Sequence, residues 1–227
     1  MELLFIRHGQ PAWVVDGVAR PDAPLTEVGH TQARLAAHRL AGDPRGFSEI
    51  IVSPAVRSQQ TAAPIAEALG LTPTTIDDIV EIGVPDWTGQ PAEVVADVFA
   101  TAQHRSIDEW WDGLPGGESF RDFHNRIVGA FLRFLQERGT APSAAGDQLW
   151  HDDGDHRRIV IVAHGGTNAV ALAFLLGLDP TPWEWERFIL YHASFARLRA
   201  IPMAGDDVWS LRTFNDREHL PEDLRTR

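Results

Sequence analysis

Apolar residues along this chain fall into short unbroken runs separated by longer stretches with helical spacing. Residues 3–6 form one such run and end at Arg7-His8-Gly9, the pattern of a strand covered on both faces that feeds a loop. Thr26 stands where a helix cap belongs, and Ala33, Leu35, Ala36 and Leu40 give the following helix an apolar face reaching about Leu40. Gly42, Pro44 and Gly46 stop it. Glu49–Val52 predicts a second strand. Ser53-Pro54 directly after it predicts a helix capped by serine, with proline at the first helical position, running to Leu69 before Gly70. Residues 74–89 are irregular, and helical spacing returns over 92–100 and 118–136. Residues 139–156, rich in Gly, Ala and Asp, read as a surface loop. Arg158–Ala163 is the plainest buried strand; it ends at His164-Gly165-Gly166, with a helix expected over 167–176. Residues 188–214 read as one or two strands turning at Gly205-Asp206.

Strands alternating with helices of this length predict an α/β fold with a mostly parallel sheet covered on both faces. No internal repeat or linker divides the chain, so one domain over 1–227 is expected. The 227 residues carry 20 basic and 32 acidic side chains, a formal net charge of −12. Every basic residue is arginine, and cysteine is absent. The acidic balance argues against non-specific nucleic-acid binding, which needs a basic field. The missing residue types exclude disulfides, thiolate metal sites, a cysteine nucleophile, a Schiff base and a P-loop lysine. The first residues lack the basic flank and cleavage site of a signal peptide, and no apolar run approaches the roughly 18 residues of a membrane helix. A soluble, cytoplasmic protein without membrane contact is expected.

The informative coincidence is that two predicted strands end in the same His-Gly pair, at His8 and His164. In open parallel sheets ligands bind beyond the carboxyl ends of strands where chain order reverses, so the two turns are expected to face one pocket. Glycine after each histidine lets the chain turn sharply and a ligand approach. Arg7 adjoins the first histidine, and Arg57 falls in the first turn of the helix after Ser53. Helix N-termini favour anions, and guanidinium groups grip phosphate bidentately without losing charge. Two histidines with two arginines describe a phosphate pocket; a metal site is disfavoured because arginines repel the cation. The run His151-Asp152-Asp153-Gly154-Asp155-His156 has no recognised ligand spacing and reads as a solvated loop. Trp110-Trp111 and the Trp183/Trp185 pair are expected to cover the core or the mouth of the pocket.

Taken in order, the motifs resemble the histidine phosphatase superfamily, the phosphoglycerate-mutase-like enzymes. Arg7-His8-Gly9 matches the opening signature of that family, Pro24-Leu25-Thr26 with Gly29 and Gln32-Ala33 its first helix, and Ser53-Pro54 with Arg57 and Gln60-Thr61-Ala62 its second motif. Glu81, Trp87 and Gly89 resemble its acid/base segment. Gly116-Gly117-Glu118-Ser119 with Arg126 matches the stretch before its long helix, and Val162-Ala163-His164-Gly165-Gly166 its second histidine motif. Asn215-Asp216 with His219-Leu220 resembles a common ending.

The resemblance implies a three-layer α/β/α sandwich and a phosphomonoester hydrolase acting on a small phosphorylated metabolite, with no cofactor and no metal. His8 would be the nucleophile that forms a phosphohistidine, its tautomer fixed through the other ring nitrogen by a backbone carbonyl. Arg7, Arg57 and His164 would hold the phosphoryl oxygens, and His164 would do so best protonated, so the two histidines should differ in pKa. Glu81 is the implied proton donor. Pro85 stands where the family commonly has glycine and Gly83 is displaced, which leaves Asp86 and Glu118 as alternatives. Val14 replaces a common asparagine, and His192 stands near another, its role open. Two other readings remain: a phosphoglycerate-type mutase, against which the short passage from Arg20 to Leu25 argues, and a catalytically silent module that binds a phosphorylated ligand. A homodimer is compatible with the sequence but not specified by it.

Overall fold

In chain order the elements are β1 (Glu2–Arg7), the hairpin β2 (Val14–Val15) and β3 (Val18–Ala19), α1 (Glu27–Ala41), β4 (Glu49–Val52), α2 (Val56–Leu69), β5 (Thr74–Thr75), α3 (Ala92–Ala102) and α4 (Ile107–Asp112). They continue with α5 (Phe120–Gln136), β6 (Thr140–Pro142), β7 (Trp150–Asp152), β8 (Arg158–Ala163), α6 (Gly165–Leu175), α7 (Glu184–Arg187), β9 (Phe195–Met203) and β10 (Asp206–Asp216). The computed structural model describes every residue except Asp147 and Asp155. Among the described residues eight strands form one sheet, in the order β5-β4-β8-β1-β9-β10-β7-β6. The half from β5 to β1 is parallel, and the half from β9 to β6 is antiparallel.

The continuous apolar runs of β1 and β8 follow from what lies on either side of them. Leu4 and Ile6 of β1, Ile50 and Val52 of β4 and Val160 and Val162 of β8 pack with Ala36 and Leu40 of α1 and Ala62 and Ile65 of α2. The alternate residues, Leu3, Phe5, Ile51, Ile159 and Ile161, join Phe123, Ile127 and Phe131 of α5 and Val170 and Leu172 of α6. A strand sandwiched in this way needs apolar residues at every position. The α/β fold expected from the sequence is therefore the one observed. No helix among the described residues is long and apolar enough to cross a membrane.

The connections place the site. From β1 the chain passes through α1 to β4; from β8, the sheet neighbour of β1, it leaves through α6 on the other face and reaches β9. The carboxyl ends of β1 and β8 thus open between chain segments that depart to opposite sides, the crevice that open α/β sheets use for ligands.

Three local expectations are corrected. The helix after Ser53-Pro54 starts later, at Val56, and Ser53 does not cap it. The Ser53 hydroxyl is taken by His164, and Asp22, from the loop before α1, accepts the Val56 N–H at 3.1 Å instead. The loop expected over 139–156 contains β6 and β7, which widen the sheet; Trp150 is buried there against Phe174 and Trp209. Strands of three residues are too short to show a period. The helix expected from Thr167 begins at Gly165, with His164 itself as its N-cap. A further helix, α4, carries a Ser106/Glu109 capping box inside a stretch with no helical period assigned to it.

Gly29, in the first turn of α1, lies against the backbone of Gln10 in the loop that follows β1, where any Cβ would collide with the Gln10 carbonyl. Alanine is the better helix former by up to about 1 kcal/mol, yet here it forces two backbone segments apart. Gly29→Ala is therefore expected to lower stability, read as a lower midpoint in denaturant unfolding, and to lower any activity that depends on the His8 loop. A stabilised G29A protein would contradict this contact.

Candidate functional site

His8 follows β1 directly, and its backbone N–H donates to the Ala163 carbonyl at 2.9 Å, extending the β1–β8 ladder by one bond. That pairing sets the two imidazoles edge to face, with ring centroids 5.2 Å apart. His8 is 2% exposed. Its Nδ1 lies 2.8 Å from the Gly9 carbonyl, an acceptor only, so Nδ1 carries the proton and Nε2 keeps its lone pair. Gly9 is held in turn: its N–H donates to Thr61 Oγ1 at 3.0 Å, and the Thr61 hydroxyl donates to the Arg57 carbonyl at 2.7 Å. The His8 loop and the helix bearing Arg57 are thereby one hydrogen-bonded unit.

His164 is wholly buried at the head of α6. Its Nε2 is 2.7 Å from Ser53 Oγ, and its Nδ1 has no protein partner. Arg7 donates to the Leu190 carbonyl at 2.7 Å, which aligns its side chain along the crevice. Arg57 lies over the Trp13 ring, 4.6 Å from the centroid, with Asp22 at 3.6 Å. The Nε of each arginine is buried without a partner. Burial pulls both guanidinium pKa values down, against the opposing pull of Glu81. Both histidines are pushed well below the ordinary histidine value, first by burial. For His8 the neighbouring His164, Arg57 and Arg7 add to this and the Gly9 bond opposes it; for His164, Arg57, Arg7 and Arg126 add to it. The two therefore move in the same direction.

Glu81 sits across α6 from this group. Its Oε2 accepts the Gly166 N–H at 2.9 Å, and its Oε1 accepts the N–H groups of Thr167 at 3.2 Å and Ile82 at 3.0 Å. A Cβ on Gly166 would meet this carboxylate, so a larger residue there would displace the Glu81 side chain. The other two carboxylates considered as proton donors are placed differently. Asp86 is exposed and caps a small turn through Thr88 N–H at 3.0 Å. Glu118 is taken by Arg126 through two bonds of 2.9 and 2.7 Å, and by the Gly83 N–H at 3.0 Å.

His8, His164, Arg7, Arg57 and Glu81, scattered from one end of the chain to the other, are thus gathered at one sheet edge. Four neighbours carried no such signal or only an unresolved one. Ser53 read as a helix cap. Trp13 carried no signal in the sequence, yet its ring lies 6.3 Å from that of His8. Thr61 matched as part of a helix motif and proves to be the hinge between Gly9 and Arg57. His192 lies 5.7 Å from His8 in ring centroid, with Nδ1 on Thr226 Oγ1 at 2.8 Å and burial pushing its pKa down to about 3. The tryptophans resolve towards the core: Trp110 meets Trp183 and Trp185, and Trp111 and Trp185 pack on Phe120. In the acidic run, His151 bonds Asp153 and Asp206, Asp152 binds the N-terminal amine, and Asp155 lies outside the described residues. Among the described residues no group of three or more His, Asp or Glu side chains is arranged to hold a metal ion.

Comparison with known proteins bears on the family and the fold. A profile of the histidine phosphatase superfamily (branch 1) matches residues 3–217. A Yersinia enterocolitica protein named "Probable phosphoglycerate mutase GpmB" is 29% identical over 226 residues, covering 97% of this chain and 95% of that one. The native structure of a mycobacterial glucosyl-3-phosphoglycerate phosphatase superposes with a TM-score of 0.70 at 27% identity, covering 94% of this chain and 98% of the other. A putative alpha-ribazole-5'-P phosphatase from Escherichia coli shares the fold, with a TM-score of 0.70 at 23% identity over 95% and 97% of the two chains. With its two histidines, two arginines and their order along the chain accounted for, this protein belongs to the histidine phosphatase superfamily.

Proposed function

We propose that this chain hydrolyses a small phosphate monoester through a phosphohistidine on His8, without a metal or cofactor. The observation that carries the reading is the 2.8 Å bond between His8 Nδ1 and the Gly9 carbonyl, because it leaves the Nε2 lone pair available beside the buried Arg57 and the half-buried Arg7. In the first step Nε2 attacks phosphorus; the N–P bond forms as the P–O bond to the alcohol breaks, and the alcohol oxygen takes a proton from Glu81. Water then attacks the same phosphorus, gives a proton to the Glu81 carboxylate, and the N–P bonding electrons return to His8. One ester and one water yield one alcohol and one phosphate. Splitting the displacement in two is covalent catalysis, and the arginines and His164 stabilise the equatorial oxygens by fixed charge and hydrogen bonds. Glu81 is the donor of choice because it reaches α6 beside His164, while Glu118 is spent on Arg126 and Asp86 on its own turn.

The mutase reading draws on the name of the Yersinia relative. Against it, the chain passes from the hairpin into α1 without any inserted segment: Arg20 N–H bonds the Trp13 carbonyl at 2.8 Å and Ala12 N–H the Pro24 carbonyl at 2.8 Å. That leaves only the short loop of residues 20–26, without the longer stretch that would hold a substrate carboxylate. The mycobacterial neighbour is named a phosphatase.

A panel of phosphate esters assayed with and without EDTA tests the reading. Inorganic phosphate should appear with both, and an acid-labile, alkali-stable phosphoenzyme should be trapped on rapid quenching. His8→Ala should abolish the trapped species and lower kcat by on the order of 10³-fold or more. Loss of activity in EDTA would remove the metal-free mechanism, phosphate moved within the substrate without release would favour the mutase, and no turnover on any ester would favour a binding module.

The histidine pKa shifts give a second expectation. A histidine whose pKa is depressed stays neutral as pH falls through 6.5, so His8 remains nucleophilic there. After correction for the second ionisation of the substrate near about 6, kcat/KM for an aryl phosphate should show no acid limb at 6.5 assignable to His8. A phosphate dianion offsets the charge of Arg7 and Arg57, so ring NMR should show the His164 pKa rising when inorganic phosphate is added. An unmoved His164 would remove it from the phosphate contacts.

A further inference from the structure

The segment carrying Glu81 has little backbone structure of its own. After the 3₁₀ turn Asp77–Ile79 the chain runs without helix or strand as far as α3. A catalytic carboxylate on such a segment needs its backbone fixed from outside, because a displacement of about 1 Å costs on the order of 10²-fold in rate.

Arg126, on α5, supplies that fixation with its entire donor inventory. Nε and Nη2 donate to the two Glu118 oxygens at 2.9 and 2.7 Å; Nη1 donates to the carbonyls of Asp78 at 2.8 Å and Val80 at 3.0 Å; Nη2 reaches the Glu81 carbonyl at 3.5 Å. Five N–H groups meet five acceptors, and none is left for a ligand. Glu118 completes the clamp. Its carboxylate accepts the Gly83 N–H at 3.0 Å and its own N–H donates to the Gly83 carbonyl at 2.6 Å. Close approach is possible because Gly83 has no Cβ: one would lie 3.3 Å from that of Glu118. Thr167 adds a third anchor by donating to the Val80 carbonyl at 3.1 Å. Residues 78–83 are thus bound on one side to the start of α5 and on the other to the start of α6.

We propose that Arg126, oriented by Glu118, is the positioning residue that holds Glu81 in place to protonate the leaving oxygen. Arg126 does not touch the phosphate; it acts through the backbone of the acid. The inference rests on Glu81 being that acid. Lysine, with three donors on a single nitrogen, cannot reproduce five bonds in a fixed fork.

The test uses kcat/KM, which reports the steps up to phosphoryl transfer to His8, for two esters in the full-length protein. One is an alkyl phosphate, whose leaving alkoxide requires a proton; the other is p-nitrophenyl phosphate, whose leaving group hardly does. Arg126→Lys and Glu118→Gln should each lower kcat/KM for the alkyl ester by on the order of 10²-fold and for p-nitrophenyl phosphate by less than about threefold. Added to Glu81→Gln, Arg126→Lys should cost little more, because the group it positions is already disabled. A merely structural clamp would depress both esters alike, and full additivity with E81Q would show that Arg126 acts elsewhere; either outcome overturns the proposal. Should Arg126→Lys fail to fold by thermal unfolding, the milder Glu118→Gln decides the matter by the same selectivity. If E81Q alone shows no preference for the alkyl ester, Glu81 is not the acid, and that assignment falls together with this one. An E81Q variant that is selective beside R126K and E118Q variants that are not overturns the positioning role alone.

Discussion

The parallel pairing of β1 with β8 is the constraint on which the rest depends. Arg7 stands opposite Ala163, and the ladder continues by one bond into His8. A slip of one residue would exchange the two faces of β1, turning Leu4 and Ile6 towards α5 and α6 and Leu3 and Phe5 towards α1 and α2. The hydrophobic pattern therefore fixes the relative height of two imidazoles on strands remote in sequence. Packing thus decides where the two histidines meet, even though neither belongs to the hydrophobic core clusters.

Gathering cations in a buried crevice is costly, and the pKa directions register that cost. Arg7, Arg57, His8 and His164 all shift towards neutrality, with burial as the first cause in each case. A net charge of −12 would argue against an anionic substrate if the field were uniform. Screening limits exposed carboxylates to about 8 Å at physiological salt, whereas the site charges act on a ligand within contact distance and at low local dielectric. The acidic surface and the cationic crevice are thus separate features of one molecule, and a phosphate dianion bound as proposed would relieve the strain that gathering the cations creates.

The sequence made part of this legible for physical reasons that can be named. His8 and His164 stood out because a buried parallel strand is a continuous apolar run, and its end is therefore visible. Arg57 followed from counting along a helix start. Ser53 was misleading: serine before proline after a strand has the pattern of a cap, and nothing in one dimension shows that a histidine 111 positions away takes the hydroxyl. β6 and β7 were hidden because three residues cannot display an alternation, and α4 because its apolar face is short. Arg126 and Glu118 were visible as letters in a motif, but spacing alone could not tell an ion pair that binds ligand from one whose acceptors are the carbonyls of a neighbouring segment.

That last distinction bears on how the two ends of the reaction are coupled. The start of α6 does two things at once: His164 is its N-cap, and its first free N–H groups, on Gly166 and Thr167, hold the Glu81 carboxylate. A helix N-terminus favours negative charge on both counts, from a phosphoryl oxygen beside His164 and from a carboxylate beside Gly166. Under the proposed mechanism the two groups share one donor array, and Glu81 would have to turn an oxygen away from α6 to deliver a proton. Anchoring the Glu81 backbone through Arg126 allows that motion to be a rotation of the side chain about a fixed main chain, and not a displacement of the whole segment. A carboxylate that must let go of one partner to serve another needs its main chain more firmly fixed than its side chain, and the hydrogen bonds around residues 78–83 are distributed in that way.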